Sequence, residues 1–147
     1  MQFFDTEDLK DYEIFLSLKG TFDADTKRKW VPYYSFDIHL LNGGKIGFCN
    51  LRIDNSILTY YCGNIGFGID EEYRGRHYSL KAVKLLLKQA EKHNLKYVLI
   101  TAEPDNQASN KICRLSGAEF IETAAVPKDH EMYLQGKQFL NIYKTAL

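Results

Sequence analysis

The chain has 147 residues, of which 45% are hydrophobic and 26% charged; this suits one globular domain over 1–147 and excludes disordered, coiled-coil and collagen-like chains. Nineteen Lys and Arg balance nineteen Asp and Glu, so the basic surface that would grip nucleic acid is not expected. No apolar run approaches the ~20 residues of a bilayer span, and neither the three cysteines (Cys49, Cys62, Cys113) nor the four histidines show metal-ligand or CxxC spacing, so a cytoplasmic chain with reduced thiols, no membrane and no metal is expected.

The first strand is predicted over Glu13 to Lys19, where Ile14, Leu16 and Leu18 alternate with Phe15, Ser17 and Lys19. Tyr34 to Leu41 alternates more clearly and sets Ser35, Asp37 and His39 opposite Tyr34, Phe36, Ile38 and Leu40. Asn42-Gly43-Gly44 suits a tight hairpin, and Lys45 to Ile53 returns as a strand. After Asp54-Asn55-Ser56 the meander is predicted to continue as strand through Ile57 to Cys62 and Asn64 to Ile69. The aromatic pairs Tyr33-Tyr34 and Tyr60-Tyr61 suit either a pocket wall or a core.

The period then changes. From Ser79 to His93 apolar residues recur at helical spacing (Leu80, Val83, Leu86 or Leu87, Ala90) with lysines on the other side, which predicts an amphipathic helix ended by Asn94. Tyr97 to Ile100 reads as a buried strand. A second helix opens at Pro104-Asp105-Asn106, carries Ala108, Ile112 and Leu115, and stops at Gly117. Strand, helix, strand implies a parallel pair. Phe120-Ile121 and Phe139 to Tyr143 are predicted to close the sheet around a loop from Val126 to Gly136.

Chemistry concentrates at the start of the first helix. Its unpaired N–H groups and partial positive charge suit a phosphate, and Arg74, Gly75 and Arg76 precede it directly. Between Arg74 and Lys96 there are seven Lys or Arg against one acid, Glu91; the helix lysines read most simply as a solvated face.

The run Tyr73-Arg74-Gly75-Arg76-His77-Tyr78-Ser79, followed by Pro104-Asp105-Asn106-Gln107-Ala108-Ser109 and Cys113-Arg114-Leu115-Ser116-Gly117-Ala118, resembles the acetyl-CoA site of GNAT-type N-acetyltransferases. The family's motifs are Q/R-x-x-G-x-G/A and, on the next helix, N-x-x-S followed by a tyrosine and a G-F pair. The similarity covers about Asn64 to Thr123. It implies an α/β, GNAT-like acyl-CoA N-acyltransferase fold, with a mixed, mainly antiparallel sheet flanked by helices and splayed beside the cofactor. Acetyl-CoA is then the co-substrate. Backbone groups of Phe67 and Ile69 would pair with pantetheine, Arg74 holds the Q/R position, and amides of Gly75, Arg76, His77, Tyr78 and Ser79 would cradle the pyrophosphate. Asn106 would contact the pantetheine arm, with Ser109 at the helix serine. His77 and Ser79 replace the family's preferred Gly and Gly or Ala.

The resemblance implies acetyl transfer to an amine by direct attack in a ternary complex, a base taking the amine proton and an acid protonating the CoA thiolate. Cys113 occupies the position of the family's acid tyrosine and is read as acid, bystander or packing residue, packing first. Where some relatives carry a basic Glu this strand holds Asn64. Asp37 and His39 are candidate bases, directly or through water, and Tyr143 is a substitute acid. The expected partner is a small-molecule or peptide amine; the acceptor's identity and the oligomeric state, a homodimer included, stay open. A CoA-binding sensor without turnover is the alternative, and an interaction protein keeping only the fold is a third.

Overall fold

Alternating apolar residues build the first half of the sheet, in which β1 (Ile14–Phe22), β2 (Tyr33–Leu40), β3 (Lys45–Arg52) and β4 (Ile65–Ile69) pair antiparallel in chain order. The computed structural model describes residues 1–147, and its single sheet has seven strands in the order β1-β2-β3-β4-β5-β7-β6. Tyr34, Phe36 and Ile38 face one way, as the alternation predicts, and are fully buried with Ile46, Cys49 and Leu51. The helix α1 (Tyr78–Glu91) covers them with Ala82, Val83, Leu86 and Ala90. Its other side is not simply solvated. Lys81 reaches Asp11 at 3.4 Å, Lys88 reaches Asp8 at 3.3 Å, and Lys92, just past the helix, reaches Asp8 at 2.8 Å, so these lysines strap the N-terminal segment along the helix.

The second half follows as β5 (Tyr97–Ala102), α2 (Gln107–Leu115), β6 (Glu119–Ala125), α3 (Glu131–Leu134) and β7 (Phe139–Ala146). The predicted parallel pair is β4 with β5. Leu99, Ala124, Leu140 and Ile142 form a smaller core on the face away from α1, against Tyr61 and Met132. Helix ends match expectation, with Asn94 at φ 57° and Gly117 at φ 90°. No helix is long and apolar enough to cross a membrane.

One predicted strand is absent. Ile57–Thr59 is a 3-10 turn, because Asp54 Oδ2 accepts hydrogen bonds from Ser56 N–H (2.8 Å), Ser56 Oγ (2.6 Å) and Thr59 Oγ1 (3.2 Å), and Ser56 Oγ caps Leu58 N–H (3.2 Å). Local side-chain bonds of this kind outcompete an extended ladder. β1 also runs beyond Lys19 to Phe22, past a bulge at Leu18–Gly20. The predicted loop from Val126 to Gly136 contains α3, whose start is capped by His130 Nδ1 accepting Met132 N–H at 3.1 Å.

Candidate active site

The splay between β4 and β5 begins at Asn64. This side chain is fully buried: Nδ2 donates to the carbonyls of Arg52 (2.9 Å) and Asp54 (2.7 Å), while Oδ1 accepts Leu99 N–H at 2.8 Å. One carboxamide thus pins the start of β4 to both neighbours. The β4–β5 ladder nevertheless consists of the single pair Ile65–Ile100. Asp70 N–H donates to the Ile46 carbonyl at 2.8 Å, so by strand alternation Gly66 and Gly68 turn their backbone groups to β3, and Phe67 and Ile69 turn theirs into the gap. A ladder edge open to a ligand results.

A groove of about 520 Å³ runs from that edge to the starts of α1 and α2. Gly75 (φ 82°) and His77 (φ 62°) both take left-handed backbone as the chain turns into α1. The His77 side chain makes no capping bond, and the first turn of α1 carries no acid, so the leading N–H groups meet neither a side-chain cap nor a repelling carboxylate. Arg74 Nε donates to the Ile69 carbonyl at 2.8 Å, which holds the guanidinium at the end of β4. Across the groove, Asn106 Oδ1 accepts Ser109 N–H at 3.0 Å as the cap of α2, leaving its Nδ2 free to donate.

Nine of the ten residues expected at a cofactor line this groove: Phe67, Ile69, Arg74, Gly75, His77, Tyr78, Ser79, Asn106 and Ser109. Arg76 alone is outside the lining, exposed beside it. Ala108, Lys111 and Ile112 line it too and were not anticipated; their i, i+3, i+4 spacing on α2 is the signal that would have found them.

The three candidate catalytic side chains are not gathered there. Cys113 is wholly buried in the main core, and burial pushes its thiol up to about 12. Asp37 and His39 lie on the sheet face away from α1. Asp37 is two strands from β4, about 10 Å by strand spacing, opposite Phe48, which in turn opposes Gly68. Its Oδ1 sits 3.4 Å from Lys45 Nζ and 4.0 Å from Lys19 Nζ. His39 stacks on Phe15 with ring centroids 5.1 Å apart. The Tyr143 hydroxyl donates to Asn110 Oδ1 at 2.7 Å.

The profile of the acetyltransferase (GNAT) domain family matches residues 4–119. A search of the curated proteins found no match. Among solved structures, RimL, a ribosomal L7/L12 alpha-N-protein acetyltransferase in complex with coenzyme A, superposes with a TM-score of 0.61 at 21% identity, over 82% of this chain and 64% of its own. A ribosomal-protein-S5-alanine acetyltransferase from Vibrio fischeri gives 0.62 at 20% identity, over 78% and 61%. The microcin C7 self immunity acetyltransferase MccE, solved with acetyl-CoA and AMP, gives 0.59 at 19% identity, over 83% and 63%. The chain spans less than two thirds of the length of each of these structures. At such identities the likeness establishes the fold: the α/β architecture with a mixed, mainly antiparallel sheet.

Proposed function

Because the chain belongs to the GNAT acetyltransferase domain family, we propose that it binds acetyl-CoA along the open edge of β4 and transfers the acetyl group to an amine by direct attack in a ternary complex. The observation that carries this reading is the groove itself. A strand edge with no ladder partner beyond Ile65, left-handed residues at Gly75 and His77 and a helix start without a side-chain cap line the same groove. Pantetheine amides would pair with Phe67 and Ile69 as an added strand would. The pyrophosphate would take the N–H groups from Gly75 to Ser79, with Arg76 supplying charge from outside the groove. Asn106 Nδ2 and Ser109 would meet the pantetheine arm. Two structural neighbours were solved with coenzyme A or acetyl-CoA, which supports this cofactor.

In the reaction the amine lone pair attacks the thioester carbon, an N–C bond forms, the C–S bond breaks, and the sulfur leaves with the electron pair. The amine proton departs to water, because Asp37 and His39 are too far from the gap to take it directly; the thiolate recovers a proton from solvent. Cys113 is assigned to packing. The three cysteines stand free, which suits a reducing compartment, and the cytoplasm is the proposed location.

Calorimetry with acetyl-CoA tests the cofactor site. Gly75→Glu places a carboxylate against the pyrophosphate and is expected to weaken binding at least tenfold; equal affinity would remove the assignment. The second reading, a CoA sensor without turnover, is favoured by one observation: no Asp or Glu lines the groove. Release of free thiol from acetyl-CoA in the presence of amines separates the two.

A further inference from the structure

A second cavity, about 550 Å³, opens on the sheet face away from α1, between the β1–β2 connection, β3 and the segment that carries α3. We propose that it is the acceptor site and that it takes a free amino acid with an apolar side chain, meaning an amine with a carboxylate a few bonds away. The proposal rests on the acetyl-transfer reading above and adds the class of acceptor.

Position comes first. Asn50 lines this cavity and pairs with Gly66, one residue past the only β4–β5 pair, so the cavity meets the sheet where the gap opens. The next residue, Phe67, lines the cofactor groove on the other face. An amine beside Asn50 and a thioester beside Phe67 are thereby separated by one strand spacing and one residue, on opposite faces of the sheet where it opens. Gly66 keeps that place clear, since a Cβ there would lie 2.9 Å from Asn50 Oδ1.

Recognition chemistry follows from three features. The Asn50 oxygen is buried and has no hydrogen-bond partner, so it has an unmet need for an N–H donor. Being neutral, it orients an amine without holding it as an ammonium. Two residues along the same strand face, about 7 Å away between backbones, is Arg52. Its Nη1 donates to the Gly63 carbonyl at 3.3 Å and no carboxylate lies within salt-bridge reach, so the rest of the fork is available for an anion. Arg28, by contrast, is already engaged, 3.7 Å from Asp25 and stacked 4.9 Å over the Trp30 ring. The acids at the rim, Asp129 and Glu131, are exposed and make no ion pair. The third feature is an apolar wall of Trp30, Tyr33, Tyr61, Leu58 and Met132, which suits an aliphatic or aromatic side chain.

Arg52 has a further consequence. A fixed cation beside the acceptor disfavours its ammonium form and so favours the neutral amine that must attack, at a site with no carboxylate base in the gap. The same charge works against polyamines, which carry cations and no anion.

The test measures thiol release at saturating acetyl-CoA with leucine, phenylalanine, their amides, phenethylamine, spermidine and a short peptide. The free amino acids are expected to exceed their amides in kcat/KM by tenfold or more. Arg52→Met is expected to collapse that ratio to near one, chiefly through a tenfold to hundredfold rise in KM for the acids, with Arg52→Lys recovering part of it. Unchanged acetyl-CoA affinity in both variants, by calorimetry, shows that they are folded. Equal use of acid and amide by the wild type, or preference for spermidine or the peptide, overturns the proposal. Should no amine be turned over, the transfer reading fails on its own, and calorimetry of phenylalanine on the protein with CoA bound decides the pocket: binding that depends on Arg52 upholds it, and absence of binding overturns it.

Discussion

His77 sits at φ 62° and ψ 22°, a region that costs an L-residue with a Cβ about 1 kcal/mol and glycine almost nothing. The family's preference for Gly at this position thereby has a backbone reason, and the imidazole is tolerated because the side chain need not cap the helix. His77→Gly is expected to stabilise the protein by up to about 1 kcal/mol and to keep or improve acetyl-CoA affinity, read by thermal unfolding and calorimetry. A loss of affinity in this variant would show instead that the imidazole itself meets phosphate. Cys113 shows the limit of reading a motif. The family resemblance implies an acid position there, but that Cys113 is wholly buried is a property of how α2 packs on β5 and against α1, which no local pattern carries. With burial holding the thiol protonated up to about 12, no acetyl adduct on Cys113 is expected by intact mass after mixing with acetyl-CoA alone, and initial-rate plots with an acceptor should intersect. Cys113→Tyr has no room for its ring and is expected to cost about 1–3 kcal/mol or more in stability.

At the scale of elements, the glycines of β3 and β4 let two strands approach closely beside the gap. A Cβ on Gly47 would lie 2.2 Å from the Gly68 carbonyl oxygen, a backbone atom that cannot move without breaking the β3–β4 ladder. Gly47→Ala is therefore expected to lose at least about 2 kcal/mol of stability and to weaken acetyl-CoA binding with it, whereas Gly44→Ala, which meets nothing within 4 Å, should do neither. Chemical denaturation of the two variants side by side makes the comparison, and equal stability would show that the strand yields. Much of this half was legible in the sequence, because alternation fixes which face of β2 is buried and helical spacing fixes the inner face of α1. Illegible were the places where a side chain bonds the backbone locally, as Asp54 does in turning Ile57–Thr59 away from a strand, and the insertion of β7 between β5 and β6, which joins strands distant in sequence. The groove was found through contiguous motifs. The second cavity was not, since Trp30, Asn50, Arg52 and Met132 meet only after the sheet has formed.

Over the whole molecule, the N-terminal segment is a strap tying the sheet to the far end of α1, and its stability is linked to one histidine. Tyr34 accepts Phe4 N–H on its hydroxyl oxygen at 2.8 Å and shares a hydrogen bond with His93 Nε2 at 2.6 Å, while Phe4 packs on the His93 ring at 4.8 Å between centroids. Gln89 Nε2 donates to the Phe4 carbonyl and Lys92 Nζ to that of Asp5, completing the clasp. Burial of the ring, and then the charge of Lys92, hold the His93 pKa below its ordinary 6.5. A folded value below the unfolded one means that the unfolded chain takes up the proton first. Stability is then full above about pH 6.5 and falls as pH drops through 6.5 toward the folded value. Asp8 and Asp11, whose pKa values are also lowered, act in a separate window: their contributions persist above about 3.8 and vanish only in stronger acid. Denaturant unfolding between pH 8 and pH 5 is expected to show a decline that His93→Gln removes, with the variant less stable at pH 8 and the two curves converging at pH 5. The hydrogen-exchange protection factor at Phe4 N–H, corrected for the intrinsic pH dependence of exchange, should fall over the same interval in the wild type alone. A wild-type stability flat from pH 8 to pH 5, or a decline that survives His93→Gln, would place the linkage elsewhere than in this clasp.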